Sequence, residues 1–373
     1  MRRESHDEKW MRLALQLAER GRGHTGPNPP VGAVLVRKRQ VVGRGYHRRA
    51  GTPHAEIHAL RQAGARAAGS TLYVTLEPCC THGRTPPCTD AILRSGIRRV
   101  VVAVRDPYRP HRGRGLAILR KHRIAVTEGI CNKEGRLLLA PFGKRVATGL
   151  PYVSLKLAIS MDGKITDNHG KSKWITGNAA RRVVHQLRRK VDAVMVGSGT
   201  VKADNPSLLP AGTRRDRPYR VLVDSSGGSS PHARVFTDGR QSLTIVATTG
   251  RCPARRTRQY EKTGATVWKL PATKTGLVPL KHLLRRLGRE GVLHVLCEGG
   301  GELAASLLRS GLVDEMLLFV APIVIGGRTS GAAVSGEGWR LAKCPRFRFV
   351  DTRQVGDDLF LKAKPVFRAA RKA

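Results

Sequence analysis

Residues 71–90 read Thr71-Leu-Tyr-Val-Thr-Leu-Glu-Pro-Cys79-Cys80-Thr-His82-Gly-Arg84-Thr-Pro-Pro-Cys88-Thr-Asp90. The run 71–76 is β-branched and apolar, as a buried strand requires. Glu77-Pro78 ends it, and residues 89–95 resume as a helix. A chain that passes from strand through a loop into a helix, with a cysteine at each end of the loop, belongs to a layered α/β fold. Upstream, His54-Ala55-Glu56 opens a further helical stretch, 54–67. One imidazole and two thiols make three ligands of the kind zinc takes, with a fourth tetrahedral position left open. That arrangement is typical of catalytic rather than structural zinc. A carboxylate two residues after the histidine can carry a proton without occupying the metal. Taken singly, His54 reads as a polar cap and Cys79 or Cys88 as a buried thiol. The combination points to metal chemistry.

Working outward, residues 7–20 carry apolar side chains at helical spacing until Gly21 and Gly23. Residues 31–36 and 40–43 read as a strand hairpin. Strands at 99–104 and 124–127 and a helix at 115–121 continue the alternation. Residues 129–150 contain four glycines and make a poor strand and an undecided helix, so a boundary is placed there. Domains of 1–150 and 151–373 result. The second shows strands at 152–158, 192–197, 219–223, 243–247, 265–269, 292–297 and 314–320. Helices are expected at 178–189, 279–290 and 301–310. It too is α/β.

The chain has 373 residues and a net charge of +41. The excess is spread: 29 basic and 10 acidic side chains, net +19, in residues 1–150, and 39 and 17, net +22, in the rest. Such a field attracts phosphate, whether on nucleic acid or on a small substrate. It also suits an arginine-rich surface with no specific partner. Aromatic residues are 5%, and no basic run interleaves them as a single-strand platform would. No run approaches the ~20 apolar residues of a membrane helix, and the charged start is unlike a secretion signal. Seven cysteines, three within ten residues, do not form a disulfide framework. A reducing cytoplasm is the expected location.

The short zinc-deaminase signature, His-x-Glu … Pro-Cys-x-x-Cys, is extended here to eight residues between the cysteines. With that insert the chain resembles the bifunctional riboflavin-biosynthesis deaminase–reductases. The segments 27–29, 31–32, 45–47 and 50–56 agree, and the resemblance spans about 7–362. It implies a cytidine-deaminase-like domain followed by a dihydrofolate-reductase-like one. It further implies Zn2+ on His54, Cys79 and Cys88, with Glu56 as proton shuttle. Asn28, His47, His82, Arg84 and Asp106 would contact a phosphorylated aminopyrimidine. The family reads Asp-Pro-Asn-Pro where this chain has Asp106-Pro107-Tyr108-Arg109, so the asparagine's contact is lost.

In the second half, the segments 153–164, 173–177, 192–206 and 292–302 follow the reductase half of the same family in order and spacing. Of these, strand 292–297, the turn Glu298-Gly299-Gly300-Gly301-Glu302 and a helix form a phosphate cradle. They do not match the Gly-x-Gly-x-x-Gly fingerprint, and alone they would serve equally as a tight turn. The resemblance implies NADPH at Ala158, Trp174, Thr200, Asp204, Ser225, Gly299, Gly300, Gly301 and Glu302. It implies substrate at Lys156, Ser172, Arg188, Leu208 and Glu298. Ala211 stands where the family has an arginine for substrate phosphate, and Arg214 or Arg215 is expected to replace it. Two rival expectations remain: a nucleic-acid-binding zinc deaminase, and a deaminase whose reductase half has decayed. The expected partner is a small phosphorylated substrate, with no membrane and no specific nucleic acid. Oligomeric state stays open, a homo-oligomer included.

Overall fold

The structure is a computed structural model, and it describes residues 4–212 and 218–366. The chain divides into two compact units, Met1–Gly149 and Leu150–Ala373.

The first unit runs α1 (His6–Glu19), β1 (Gly32–Arg37), β2 (Gln40–Tyr46), α2 (Ala55–Ala63), β3 (Thr71–Leu76), α3 (Cys88–Arg94), β4 (Arg99–Val104), α4 (Arg114–Lys121), β5 (Ala125–Glu128) and α5 (Asn132–Thr148). Its sheet has the order β2-β1-β3-β4-β5. β1 is antiparallel to β2 and β3, whereas β3, β4 and β5 are parallel. Successive side chains of a strand face opposite ways, and both faces are covered. Ala33, Leu35, Leu72, Val74, Val100 and Val102 pack under α2 and α4. Val34, Val36, Tyr73, Val101 and Ala103 pack under α1 and Leu138 of α5. Ser5 caps α1 through a reciprocal bond with Glu8.

Helix α5 fills most of 129–150, where the sequence left a helix undecided. Gly135 and Pro141 depress local propensity, yet packing overrides it. A Cβ at Gly135 would come within 2.6 Å of Val104, so the glycine lets α5 lie close on β4. Leu138 and Leu139 are buried.

The second unit runs β6 (Tyr152–Ser160), α6 (Asn178–Arg189), β7 (Ala193–Gly197), α7 (Ser198–Asp204), β8 (Tyr219–Val223), β9 (Thr244–Thr248), α8 (Ala254–Lys262) and β10 (Thr266–Lys269). It continues with α9 (Leu280–Arg289), β11 (His294–Cys297), α10 (Gly301–Arg309), β12 (Glu315–Ala321), β13 (Phe347–Val355) and β14 (Asp358–Pro365). The nine strands lie in the order β10-β9-β8-β7-β11-β6-β12-β14-β13. They are parallel from β10 to β12, and β14 and β13 add an antiparallel edge. The sequence reading missed α7, α8, β13 and β14. Of α8 only Tyr260 is buried, and β13 is mostly exposed, so neither carries a strong apolar period.

Candidate functional site

Helix α2 must lie close on β2 for its first turn to reach the end of β3. Gly43 and Gly45 allow this: a Cβ there would come within 2.2 Å of the Ala59 carbonyl and 2.4 Å of that of Ala55. His54 then precedes α2, Cys79 follows β3, and Cys88 opens α3. Ligand atoms of His54, Cys79 and Cys88 lie within 4.8 Å of one another. His54 Nδ1 is 3.3 Å from Cys88 Sγ and 3.5 Å from Cys79 Sγ, and Nε2 is 3.4 Å from Thr85 Oγ1. Nδ1 is therefore the nitrogen that could face a metal, which leaves Nε2 to donate to Thr85 and orient the ring.

The Cys88 backbone N–H donates to Cys79 Sγ at 3.3 Å. The Cys88 thiol hydrogen bond lowers Cys79 against burial, with His54 assisting. The same thiol bond, then burial, pushes Cys88 up. Two borderline-soft sulfurs with one imidazole nitrogen fit zinc. Glu56 is buried in the first turn of α2. Burial, then the charge on Cys79, raises its carboxyl to about 7.

Asn28 and His47 come together beside these ligands. Asn28 Nδ2 donates to His47 Nε2 at 3.1 Å, and His47 Nδ1 donates to the Pro53 carbonyl at 3.3 Å. The His47 ring stands edge-on to His54, 5.1 Å between centroids. Burial lowers His47 to about 4, so it is neutral. Asp106 is buried, whereas His82 and Arg84 are exposed on the 80–87 loop. Sequence reasoning passed over Glu77. Its carboxylate accepts the N–H groups of Asp106 at 3.1 Å, Gly113 at 2.9 Å and Gly115 at 3.1 Å. A nest of backbone donors leaves no mark in sequence beyond the Glu-Pro-Cys context.

The second unit holds a cavity of about 1350 Å³. Lys156, Ala158, Ser172, Trp174, Arg188, Thr200, Asp204, Leu208, Ser225, Glu298 and residues 299–302 all line it. Its volume exceeds the ~300–1,000 Å³ of a pocket built for one drug-sized ligand. Gly299 and Gly300 have φ of 130° and 87°, a left-handed path that favours glycine. They turn the chain into α10, whose first N–H groups lack intrahelical partners. This donor set suits a phosphate. Arg188 and Glu298 meet each other: Nε donates to Oε1 at 2.6 Å and Nη2 to Oε2 at 2.8 Å. Burial alone would raise Glu298, but Arg188 and then Lys156 hold it below its usual value. Burial lowers Lys156, with Glu298 opposing. Ser172 donates to Asp204. Trp174 is 68% exposed at the cavity, with Arg181 over its ring at 4.4 Å. Leu208 is buried with φ 62°.

Two families match the chain. "Cytidine and deoxycytidylate deaminase zinc-binding region" covers residues 4–104, and "RibD C-terminal domain" covers 151–361. The riboflavin biosynthesis protein RibD of Bacillus amyloliquefaciens is 41% identical over 363 residues, 96% of each chain. The chain belongs to the bifunctional riboflavin-biosynthesis deaminase–reductases. RibD of Escherichia coli K12 is also 41% identical, over 95% of this chain and 98% of its own. Acinetobacter baumannii RibD superposes with a TM-score of 0.86 at 38% identity, covering 97% of this chain and 99% of its own. The Thermotoga maritima diaminohydroxyphosphoribosylaminopyrimidine deaminase/5-amino-6-(5-phosphoribosylamino)uracil reductase gives 0.84 at 35%, covering 96% and 99%.

As a member of that family the chain is a zinc-dependent deaminase joined to an NADPH-dependent reductase of riboflavin biosynthesis. Both departures from the family pattern are in view. Tyr108 is 44% exposed and edge-on to His111. At Ala211 the backbone N–H donates to His185 Nδ1 at 3.2 Å, and the carbonyl accepts from Arg189 at 2.8 Å. Helix α6 thus clasps this loop, and Ala211 lines the cavity without a charge. Arg214 and Arg215 lie outside the described residues. No described helix is long and apolar enough to cross a membrane.

Proposed function

We propose that the first unit hydrolyses the 2-amino group of a diaminopyrimidinone ribose phosphate and the second reduces the product's ribosyl group to ribityl. The observation that carries the reading is the convergence of His54, Cys79 and Cys88 beside a buried Glu56. These three residues would hold the metal, which when bound supplies the Lewis acidity that activates water at neutral pH. Glu56, raised to about 7, takes the proton from water and returns it to the departing amino nitrogen. A group with its pKa near the working pH serves both transfers. Asn28, His47, His82, Arg84 and Asp106 bind and orient the phosphorylated pyrimidine.

In the second unit Ala158, Trp174, Thr200, Asp204, Ser225 and the 299–302 turn would hold NADPH, which when bound supplies the reducing equivalent. Lys156, Ser172, Arg188, Leu208 and Glu298 position the ribose phosphate. The Arg188–Glu298 pair gives that wall a fixed geometry, and the Lys156 amine lines the same cavity. The partner is a small anionic molecule, not a specific nucleic acid. The seven free cysteines suit a reducing cytoplasm.

The test supplies purified, zinc-loaded chain with the diaminopyrimidinone phosphate and NADPH. One ammonia released and one NADPH oxidised per substrate is the expected result. Ammonia without NADPH oxidation would reduce the chain to a deaminase. Neither would remove the reading.

A further inference from the structure

Two loops of the first unit meet next to the ligand-bearing segment in sequence. The one after β3 carries Thr81, His82 and Arg84. The one after β4 carries Asp106, Tyr108 and His111. Glu77 fixes the base of the second loop through backbone N–H groups at 106, 113 and 115, which leaves its middle to be held by other means. His111 does so. Its Nδ1 is 3.2 Å from Asp106 Oδ2, and its Nε2 is 2.7 Å from Thr81 Oγ1. A carboxylate only accepts, so Nδ1 donates to Asp106, and Nε2 shares a hydrogen bond with the Thr81 hydroxyl. The other Asp106 oxygen accepts the Tyr108 N–H at 2.8 Å. Asp106 is 5% exposed, so its orientation is set by these bonds and not by solvent. Thr81 sits between metal ligand Cys79 and His82 in sequence. The chain Asp106–His111–Thr81 therefore ties the second loop to the ligand-bearing one. Tyr108 closes over the imidazole edge-on, centroids 5.0 Å apart at 84°.

We propose that His111 is a positioning residue of the deaminase, fixing the spacing between Asp106 and the 81–84 segment so that both meet one substrate. The inference rests on the assignment of Asp106, His82 and Arg84 to substrate. A side chain that sets spacing without touching the reacting atoms acts on substrate affinity, and leaves metal and proton transfer alone.

The experiment uses the full-length zinc-loaded chain with His111→Ala, Thr81→Val, the double variant and His111→Asn. Deamination kinetics, zinc content and NADPH oxidation of the deaminated intermediate are followed in each. Each single change should raise the deaminase KM roughly threefold to tenfold, the worth of one hydrogen bond, with kcat within about twofold. Zinc content and NADPH oxidation should stay at wild-type values. The double variant should be no worse than the worse single, because both break one chain of bonds. His111→Asn, which keeps a donor for Asp106, should recover part of the loss. Unchanged KM in both singles, full additivity in the double, or a fall in kcat that tracks zinc loss would each overturn the proposal. Asp106→Asn separates the two assignments. If it leaves KM unchanged, the substrate role of Asp106 fails and the positioning role falls with it. If it raises KM while His111→Ala does not, only the positioning role is lost.

Discussion

Cys79 follows a strand and Cys88 opens a helix, and the backbone N–H of one reaches the sulfur of the other at 3.3 Å. Neither sulfur is replaceable by oxygen at such a site, because serine stays protonated and binds zinc weakly. Cys79→Ser and Cys88→Ser should each drop bound zinc from about one per chain to well below half, read by elemental analysis. Full retention in both would remove the three-ligand assignment. Arg188 and Glu298 are 15% and 6% exposed in their side chains. Breaking a buried pair from one side costs ~3–5 kcal/mol because it strands the other charge. Glu298→Gln should therefore destabilise the second unit by an amount of that order in denaturant titration. Arg188→Met with Glu298→Leu should recover most of the stability and none of the reduction. Equal loss in single and double variants would show that the pair is not what holds this wall.

Asp7, in the first turn of α1, ties the helix to the sheet. Arg99 on β4 donates to both Asp7 oxygens, at 3.0 and 2.7 Å, and Tyr73 on β3 donates to Oδ1 at 2.8 Å. Burial would raise the Asp7 carboxyl, but these bonds outweigh it and hold it below its usual value. A depressed carboxyl stabilises above the unfolded pKa of about 3.9, and the contribution disappears as pH falls through the folded value. Asp7→Asn should cost about 1 kcal/mol near pH 7, and the difference from wild type should shrink as pH falls through the lowered folded value of Asp7. A difference that persists in acid would mean the contact is steric. Elements of this kind were legible where apolar period and breaker agreed. Thr71–Leu76, Arg99–Val104, Asn178–Arg189 and Tyr219–Val223 stand where the periodicity predicts them. Asn132–Thr148 was not, because Gly135 and Pro141 read as breakers and only contact with β4 makes the helix worth forming. Phe347–Val355 was not, because an exposed edge strand has no apolar alternation to read. The same contrast holds at the site. His54, Glu56, Cys79 and Cys88 announce themselves through spacing, whereas Glu77 and His111 act through backbone donors and a cross-loop bond that only three dimensions reveal.

At the scale of the molecule, a charge of +41 spread along both halves sets a field without marking a groove. RNA binding should therefore be weak, indifferent to sequence and lost at moderate salt. A footprint on one defined RNA that survives high salt would favour a nucleic-acid deaminase instead. The chain as a whole carries two chemistries in two compact units, each with its own polar site. A proton carrier in the first has no role in the second. Glu56→Gln keeps the shape of the side chain and removes its proton transfer, a contribution of ~10²–10⁴ in rate. The deciding measurement is ammonia release and NADPH oxidation by this variant, each from its own substrate. Ammonia release should fall by at least that ~10², with NADPH oxidation of the deaminated intermediate within about twofold of wild type. Wild-type ammonia release, or loss of both activities together, would contradict it.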